Sequence, residues 1–121
     1  MDSAKLMIVE DEGLIAESIR RTVMREGYQV AATTGSGEEA IQLARETDPD
    51  LIIMDQRLND DIRGVEAAEE IQGTQQMPVV FMTAFDVDEV KEQAENVAFE
   101  EVLAKPVQDD RLLSTIELAL S

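Results

Sequence analysis

Five short apolar segments recur along the chain and constrain its fold more than any other feature. None is interrupted by a polar side chain, and they lie at residues 6–9, 30–32, 51–54, 79–82 and 102–104. Continuous apolarity is typical of strands buried on both faces of a parallel sheet, whereas a strand with one face in water alternates. The sequence therefore predicts five core strands, of which the second segment is the weakest.

Helical patterns separate these segments and follow the last one. Apolar residues share one face in each pattern, namely Ile15, Ile19 and Val23; Ala40, Ile41 and Ala44; Val65, Ala68 and Ile71; Val90, Ala94 and Val97; and Leu113, Ile116 and Leu120. Gly27, Asp48-Pro49 and Met77-Pro78 mark boundaries between elements. Five strand-helix repeats in 121 residues predict one α/β domain, residues 1–121, with a parallel sheet and helices on both of its faces.

Composition excludes several classes of function. The chain has no Cys and no His, which rules out disulfides, thiolate chemistry and a phosphohistidine on this chain. Its net charge of −17 disfavours nucleic acid and anionic membrane, since both select clustered Lys and Arg. No apolar run is long enough to span a bilayer and no secretory signal is recognisable, so we expect a cytoplasmic protein.

Polar residues stand directly after four of the predicted strands. Glu10, Asp11 and Glu12 follow the first strand, Asp55 the third, Thr83 the fourth and Lys105 the fifth. Ligands of open parallel sheets bind beyond the carboxyl ends of the strands, so these side chains are expected to converge. Taken singly, each residue has an ordinary explanation as a cap, a turn residue or a solvated charge; their joint occurrence favours a site.

The chemistry of this set is specific. Carboxylates without His or Cys suit a hard, oxygen-liganded cation such as Mg²⁺. An aspartate can act as a nucleophile and become an aspartyl phosphate, while a cation and an ammonium group neutralise the transferring group. The sequence therefore predicts phosphoryl chemistry at this edge of the sheet.

At this point the sequence resembles the receiver domains of two-component response regulators over essentially its whole length. Four segments carry the resemblance: Ile8-Val9-Glu10-Asp11-Glu12, Pro49 to Asp55, Pro78 to Ala84, and Leu103-Ala104-Lys105-Pro106. The resemblance implies a flavodoxin-like, doubly wound sheet with strand order 2-1-3-4-5. It also implies a stand-alone phosphoryl-accepting domain that catalyses only its own phosphorylation and dephosphorylation.

The resemblance also assigns partners and a metal site. It implies that Asp55 is the phosphoacceptor, taking the group from a sensor histidine kinase or a phosphotransfer protein and then switching contacts with a downstream protein. Asp11 and Asp55 would ligate Mg²⁺, Glu10 would help to position the ion, and the backbone carbonyl of Arg57 would complete the protein ligands.

Further roles follow from the resemblance at the ends of the last two strands. Thr83 would sense the phosphoryl group and Lys105 would pair with Asp55 or its phosphate. Pro106, by resemblance a cis proline, would shape the loop that carries Lys105. Val102 occupies a switch position where a Tyr or Phe is usual, so the ring movement that such an aromatic residue makes is expected to be absent.

Two other departures from the family pattern are visible. Asn59 replaces a common Pro in the loop after Asp55, which is one residue longer than usual, and Ala98-Phe99 stands where a Gly-Ala pair is common. Three alternatives to a phosphoryl-accepting receiver remain: a pseudo-receiver that mediates contacts without phosphate, a small aspartate-nucleophile phosphatase, and a flavin carrier. A phosphatase of this class would resemble an Asp-x-Asp pattern, but the chain has Arg57 where the second acid would stand. A flavin carrier would bind a phosphate after the first strand, where Glu10 to Glu12 would repel it unless a cation intervened.

Overall fold

Strands and helices alternate along residues 3–121, the part of the chain that the computed structural model describes. The elements are β1 (Lys5–Val9), α1 (Gly13–Arg25), β2 (Gln29–Thr34), α2 (Gly37–Thr47), β3 (Leu51–Asp55), α3 (Gly64–Gln72), β4 (Val79–Thr83), α4 (Val87–Gln93), β5 (Glu101–Ala104) and α5 (Asp109–Leu120). All neighbouring strands pair in parallel, in the order β2-β1-β3-β4-β5. The predicted flavodoxin-like α/β fold with strand order 2-1-3-4-5 is therefore confirmed.

Each face of the sheet has its own hydrophobic core. Alternate residues of the strands, for example Met7 and Phe81, pack with α2, α3 and α4 on one face. Their neighbours along the strands, for example Ile8 and Met82, pack with α1 and α5 on the other face. The apolar segments lack alternation because both of their faces are buried, as the sequence predicted.

The second strand lies at an edge of the sheet, which explains its weak apolar segment. Val30 and Ala32 are only partly buried, and the register of β2 against β1 shifts between Leu6 and Met7. A strand that is paired on one side needs less apolar surface than the central strands. It is also two residues longer at its C-terminal end than the apolar segment 30–32, and reaches Thr34.

Helix boundaries agree with the local sequence signals. Ser36 caps α2 by accepting a hydrogen bond from the backbone N–H of Glu39. Gly27 has φ of 100° after α1, and Asp48 has φ of 45° after α2, so both chain reversals use the left-handed region that ends many helices.

Two helical patterns need correction. Val97 was expected on the fourth helix, but α4 ends at Gln93 and Val97 is buried in the following turn. In α5 the fully buried apolar residues are Leu112 and Ile116, whereas Leu113 and Leu120 pack only at the margin of the core. No helix within residues 3–121 combines the length and the apolarity that crossing a membrane requires.

Candidate functional site

The carboxyl ends of the strands bring together side chains that are far apart in the sequence. Glu10 follows β1, Asp55 and Thr83 end β3 and β4, and Lys105 follows β5. Glu10, Asp55 and Thr83 are almost completely buried, with exposed fractions of 3%, 4% and 1%. Buried polar groups of this kind need partners within the protein, and these partners define the site.

Three carboxylates form its acidic part. One oxygen from each of Glu10, Asp11 and Asp55 lies within 4.8 Å of the other two, and Asp11 is the exposed member of the group. The backbone N–H of Glu12 donates a hydrogen bond to Glu10 Oε2 at 3.1 Å, which orients the buried Glu10 side chain. The ends of the neighbouring strands β1 and β3 therefore hold the acids close together in spite of their mutual repulsion.

Lys105 joins two of these carboxylates. Its Nζ donates to Glu10 Oε1 at 2.6 Å and to Asp55 Oδ2 at 2.9 Å, and only 15% of the lysine side chain is exposed. Burial alone would lower the pKa of Lys105, but the hydrogen bonds to Glu10 and Asp55 outweigh it and raise this pKa above its usual value. The lysine therefore stays charged and partly neutralises the acids.

The remaining acid keeps an excess of negative charge in the site. Partial removal from water, followed by hydrogen bonding to and repulsion from Glu10, raises the pKa of Asp11 above its usual value. With all groups ionised, three carboxylates and one ammonium group give a net charge of −2. An all-oxygen donor set with this charge fits a hard divalent cation such as Mg²⁺.

Thr83 and Lys105 are connected through the backbone. The N–H of Lys105 donates to the carbonyl of Thr83 at 2.7 Å, and the Thr83 hydroxyl accepts a hydrogen bond from the N–H of Phe85 at 3.0 Å. The Lys105–Pro106 peptide bond is cis, as the resemblance implied. The predicted sensing residue therefore contacts both the backbone that carries the lysine and the loop that leads into α4.

Arg57 and Val102 lie at the margins of this arrangement. The guanidinium of Arg57 lies over the exposed ring of Phe85, with Cζ 4.1 Å from the ring centroid, so its proposed role as a cation ligand concerns its backbone carbonyl alone. Val102 is buried in the core beside Phe81, its pairing partner on β4. It contacts the core and not the acidic group.

Two residues next to Asp55 escaped the sequence interpretation. Gln56 is buried, accepts a hydrogen bond from Val65 N–H at 2.9 Å, and donates to Gln93 Oε1 of α4 at 2.7 Å. Gly64 approaches so closely that a Cβ atom there would lie 2.2 Å from the carbonyl oxygen of Asp55. The sequence analysis assigned no role at the site to either residue.

Similar structures share this fold over nearly the whole chain. The signal receiver domain of a modulated diguanylate cyclase from Desulfovibrio desulfuricans G20 superposes with a TM-score of 0.90 at 34% identity, covering 98% of this chain and 94% of that one. The receiver domain of PhyR from Erythrobacter litoralis gives 0.87 at 29% identity, covering 99% and 92%.

Similar sequences differ in how much of each relative the chain covers. The transcriptional regulatory protein PdtaR of Mycobacterium tuberculosis is 36% identical over 119 residues, which are 97% of this chain and 57% of PdtaR. The polar-differentiation response regulator DivK of Brucella ovis is 34% identical over 115 residues, 93% of this chain and 92% of DivK. The chain therefore spans little more than half of PdtaR and nearly all of DivK.

The family model that matches the sequence includes every residue of the site. It describes the response regulator receiver domain and covers residues 6–117. The match thus extends from the second residue of β1 to the last turn of α5. On this match, together with the strand order and the relatives above, the chain belongs to the response regulator receiver domain family of two-component signalling.

Proposed function

We propose that Asp55 accepts a phosphoryl group from a sensor histidine kinase or a phosphotransfer protein in an Mg²⁺-dependent reaction. The observation that carries this proposal is the buried Asp55 carboxylate, held by Lys105 and grouped with Glu10 and Asp11 within 4.8 Å. A carboxylate in a merely structural ion pair needs one cation and no further acids. This group keeps two negative charges uncompensated, which is the state expected of a cation site.

The chemistry is a transfer to one oxygen of Asp55. Lys105 engages Oδ2, and we assign Oδ1 as the attacking atom. A new P–O bond forms at Asp55 while the P–N bond of the donor phosphohistidine breaks, and the electron pair stays on the leaving imidazole nitrogen. Lys105 and the Thr83 hydroxyl then offer donors to the phosphoryl oxygens. A cation held by Glu10, Asp11, Asp55 and the Arg57 carbonyl would supply charge neutralisation.

The surface beside the site offers a place for the donor protein. A cavity of about 550 Å³ lies between α1 and the loop after β5, with Ile15, Pro106 and Val107 in its wall. Leu14 also lines it and is 89% exposed. Lys105, which bonds Asp55, also lines the cavity, and apolar side chains beside it suit a docked helix because they exclude water around the transfer.

The modified domain would act through protein contacts. We propose that it is not an enzyme in the usual sense, since the only reactions assigned to it are its own phosphorylation and dephosphorylation. The cytoplasm, where ATP-dependent kinases and free Mg²⁺ coexist, is the compartment that this chemistry requires. The downstream target is proposed to be a protein, because the charge of −17 disfavours direct nucleic acid binding.

Mass spectrometry after incubation with acetyl phosphate and Mg²⁺ tests the proposal. The unaltered chain should gain one phosphoryl group, and Asp55→Asn should gain none, because the amide keeps the shape but removes the nucleophile. Asp61→Asn is the matched control, since it makes the same chemical change at an exposed position of the following loop. It should label fully.

Three outcomes would contradict this assignment. Full labelling of Asp55→Asn would place the acceptor elsewhere, and no labelling of the unaltered chain would favour a pseudo-receiver that mediates contacts without phosphate. Continuous release of inorganic phosphate from other substrates would instead indicate a phosphatase.

A further inference from the structure

Asp60 lies in the longer loop after β3, and its carboxylate contacts the N-terminus of a different helix. Oδ1 accepts a hydrogen bond from the backbone N–H of Gly37, and Oδ2 accepts from the hydroxyl of Ser36 and the N–H of Glu38, each at 3.0 Å. These partners are 22 to 24 residues away in the sequence. The contact fastens the loop after Asp55 to α2.

Electrostatics favour this contact. The N-terminus of a helix presents free N–H groups and a partial positive charge, so a carboxylate is a good acceptor there. The N–H of Glu38, followed by that of Gly37 and the hydroxyl of Ser36, lowers the pKa of Asp60 below its usual value. The carboxylate is therefore charged at neutral pH.

The loop after β3 and the segment that leads into α2 also contact each other at Gly35, beside the acidic group. The N–H of Asn59 donates to the Gly35 carbonyl at 2.8 Å. A Cβ atom at Gly35 would lie 2.7 Å from Asn59 Nδ2 and 2.9 Å from Asp11 Cα. A side chain at Gly35 would therefore collide with both Asn59 and Asp11, so the three residues pack directly against one another.

We propose that Asp60 is a positioning residue for the cation site that the proposed function requires. By fastening its loop to α2, Asp60 holds Gly35 against the backbone of Asp11. Asp11 is the exposed member of the acidic group, and Lys105 bonds the other two members. The position of the Asp11 carboxylate therefore depends on the position of the Asp11 backbone. The contact of Asp60 with α2 stabilises that backbone through Gly35.

Isothermal titration calorimetry of Asp60→Ala with Mg²⁺ tests this proposal. Asp61→Ala is the matched control, because it removes the same charge from the neighbouring, exposed position of the same loop. A general loss of attraction for Mg²⁺ would therefore be shared by both variants. Asp60→Ala alone should lose the support of Asp11, and we expect its dissociation constant for Mg²⁺ to rise by about tenfold relative to Asp61→Ala.

A conservative pair of variants separates positioning from simple helix capping. Asp60→Asn keeps an oxygen acceptor for α2 and is charge-matched to Asp61→Asn, so it should recover most of the Mg²⁺ affinity. This pair also decides the question if Asp60→Ala does not fold. If the Asp60 variants unfold at lower temperature but bind Mg²⁺ as tightly as their Asp61 counterparts, Asp60 is only a cap and the inference is overturned.

The unaltered chain distinguishes this inference from the function on which it rests. Failure of the unaltered chain to bind Mg²⁺ overturns the proposed cation site and this inference together. Binding by the unaltered chain that Asp60→Ala reduces no more than Asp61→Ala overturns the inference alone.

Discussion

At the scale of single residues, Gly64 fixes how closely α3 can approach Asp55. A methyl group at this position would lie 2.2 Å from the Asp55 carbonyl oxygen and 3.0 Å from Met54 Cγ. Backbone atoms cannot yield as a flexible side chain can, so either the strand or the helix would have to move. The glycine therefore positions the proposed phosphoacceptor without contacting its carboxylate.

Gly64→Ala should therefore lower both stability and labelling. We expect a loss of about 1–3 kcal/mol in the free energy of unfolding, as for other overpacked positions, together with slower labelling by acetyl phosphate. Gly13→Ala is the control, because a Cβ at Gly13 would meet nothing within 4 Å. Urea unfolding and mass spectrometry measure the two effects, and behaviour of Gly64→Ala equal to that of Gly13→Ala would refute the argument.

Replacing Asp11 should not destabilise the fold, in contrast to replacing Gly64, because the charge of Asp11 is unfavourable in the folded protein without metal. Its pKa is raised, so the folded state disfavours the ionised form at neutral pH; this penalty shrinks as pH falls below the raised folded pKa and is lost below the unfolded pKa. Asp11→Asn should therefore be at least as thermostable as the unaltered chain at pH 7 in a chelator, with the difference shrinking in acid. Mg²⁺ binding should weaken at the same time.

Thermal unfolding across a pH series, with Asp61→Asn as the control for loss of one charge, measures this effect. A lower midpoint for Asp11→Asn than for Asp61→Asn at pH 7 would count against it. So would Mg²⁺ titrations that do not differ between the unaltered chain and Asp11→Asn.

Sequence reasoning identified the residues of the site that directly follow an apolar segment. Asp55, Thr83 and Lys105 are recognisable because the strand before each of them is recognisable. Gln56 and Asp60 were missed for a physical reason: their partners, such as Val65 and Gly37, are backbone groups or residues of other elements. Such contacts depend on how the loops pack in three dimensions, and they produce no periodic pattern in the sequence.

At the scale of elements, α4 is the helix with the least support. It has seven residues and buries only Val90, and an isolated helix of this length is not stable in water. Asp86 caps its start by accepting from the N–H groups of Asp88 and Glu89, and the bond between Gln93 and Gln56 holds its end. Both ends of α4 are thus connected to segments that adjoin Asp55 or Thr83.

Gln93→Ala should therefore loosen α4 without unfolding the domain. Loss of roughly 1 kcal/mol from one hydrogen bond corresponds to about fivefold faster exchange of the amide hydrogens in residues 87–93. Glu92→Ala, on the same helix at an exposed position, should leave exchange nearly unchanged. Hydrogen-exchange mass spectrometry measures the difference, and equal exchange in the two variants would show that the Gln56 contact does not hold the helix.

Val102 gives a prediction for the strand that follows α4. Valine is small and its first torsion is stiff, and it is already buried beside Phe81, so no ring can turn inward at this position. Phe99 already packs edge-on against Phe81, with centroids 5.8 Å apart, so its ring has a place in the core without any switch. We expect beryllofluoride to change amide chemical shifts near Asp55, Lys105 and residues 83–88.

Chemical-shift mapping with and without beryllofluoride tests this expectation. Small changes along β5 around Val102 and along α5 would agree with it. Changes there as large as those near Asp55 would show that Val102 does not restrict the response.

The elements themselves were largely predictable, and the two errors have clear causes. Val97 continues the helical spacing of α4 through a turn, where its N–H donates to the Ala94 carbonyl at 2.9 Å, so the apolar period outlasts the helix. In α5 the buried stripe includes Thr115, whose hydroxyl donates to the Arg111 carbonyl at 2.8 Å. Because Thr115 is polar, the apolar pattern of the sequence does not show which face of α5 is buried.

At the scale of the whole molecule, the net charge of −17 opposes the compact state. Added NaCl screens this repulsion, so the thermal midpoint should rise by a few degrees between low and physiological salt, equivalent to roughly 1 kcal/mol. MgCl₂ at equal ionic strength should raise it further by binding at the acidic site. That extra increment should be absent in Asp11→Asn, and a midpoint that does not respond to NaCl would contradict the argument.

The parallel strand order has one more consequence, which concerns folding. Glu10 and Lys105 are 95 residues apart in the sequence, and Asp55 and Lys105 are 50 apart, yet all three are hydrogen-bonded neighbours. No hairpin or other local segment can assemble such a site, because loop closure over most of the chain must come first. The reactivity proposed for Asp55 would therefore be a property of the native state alone, and the fraction of molecules that acetyl phosphate labels would equal the fraction that has folded.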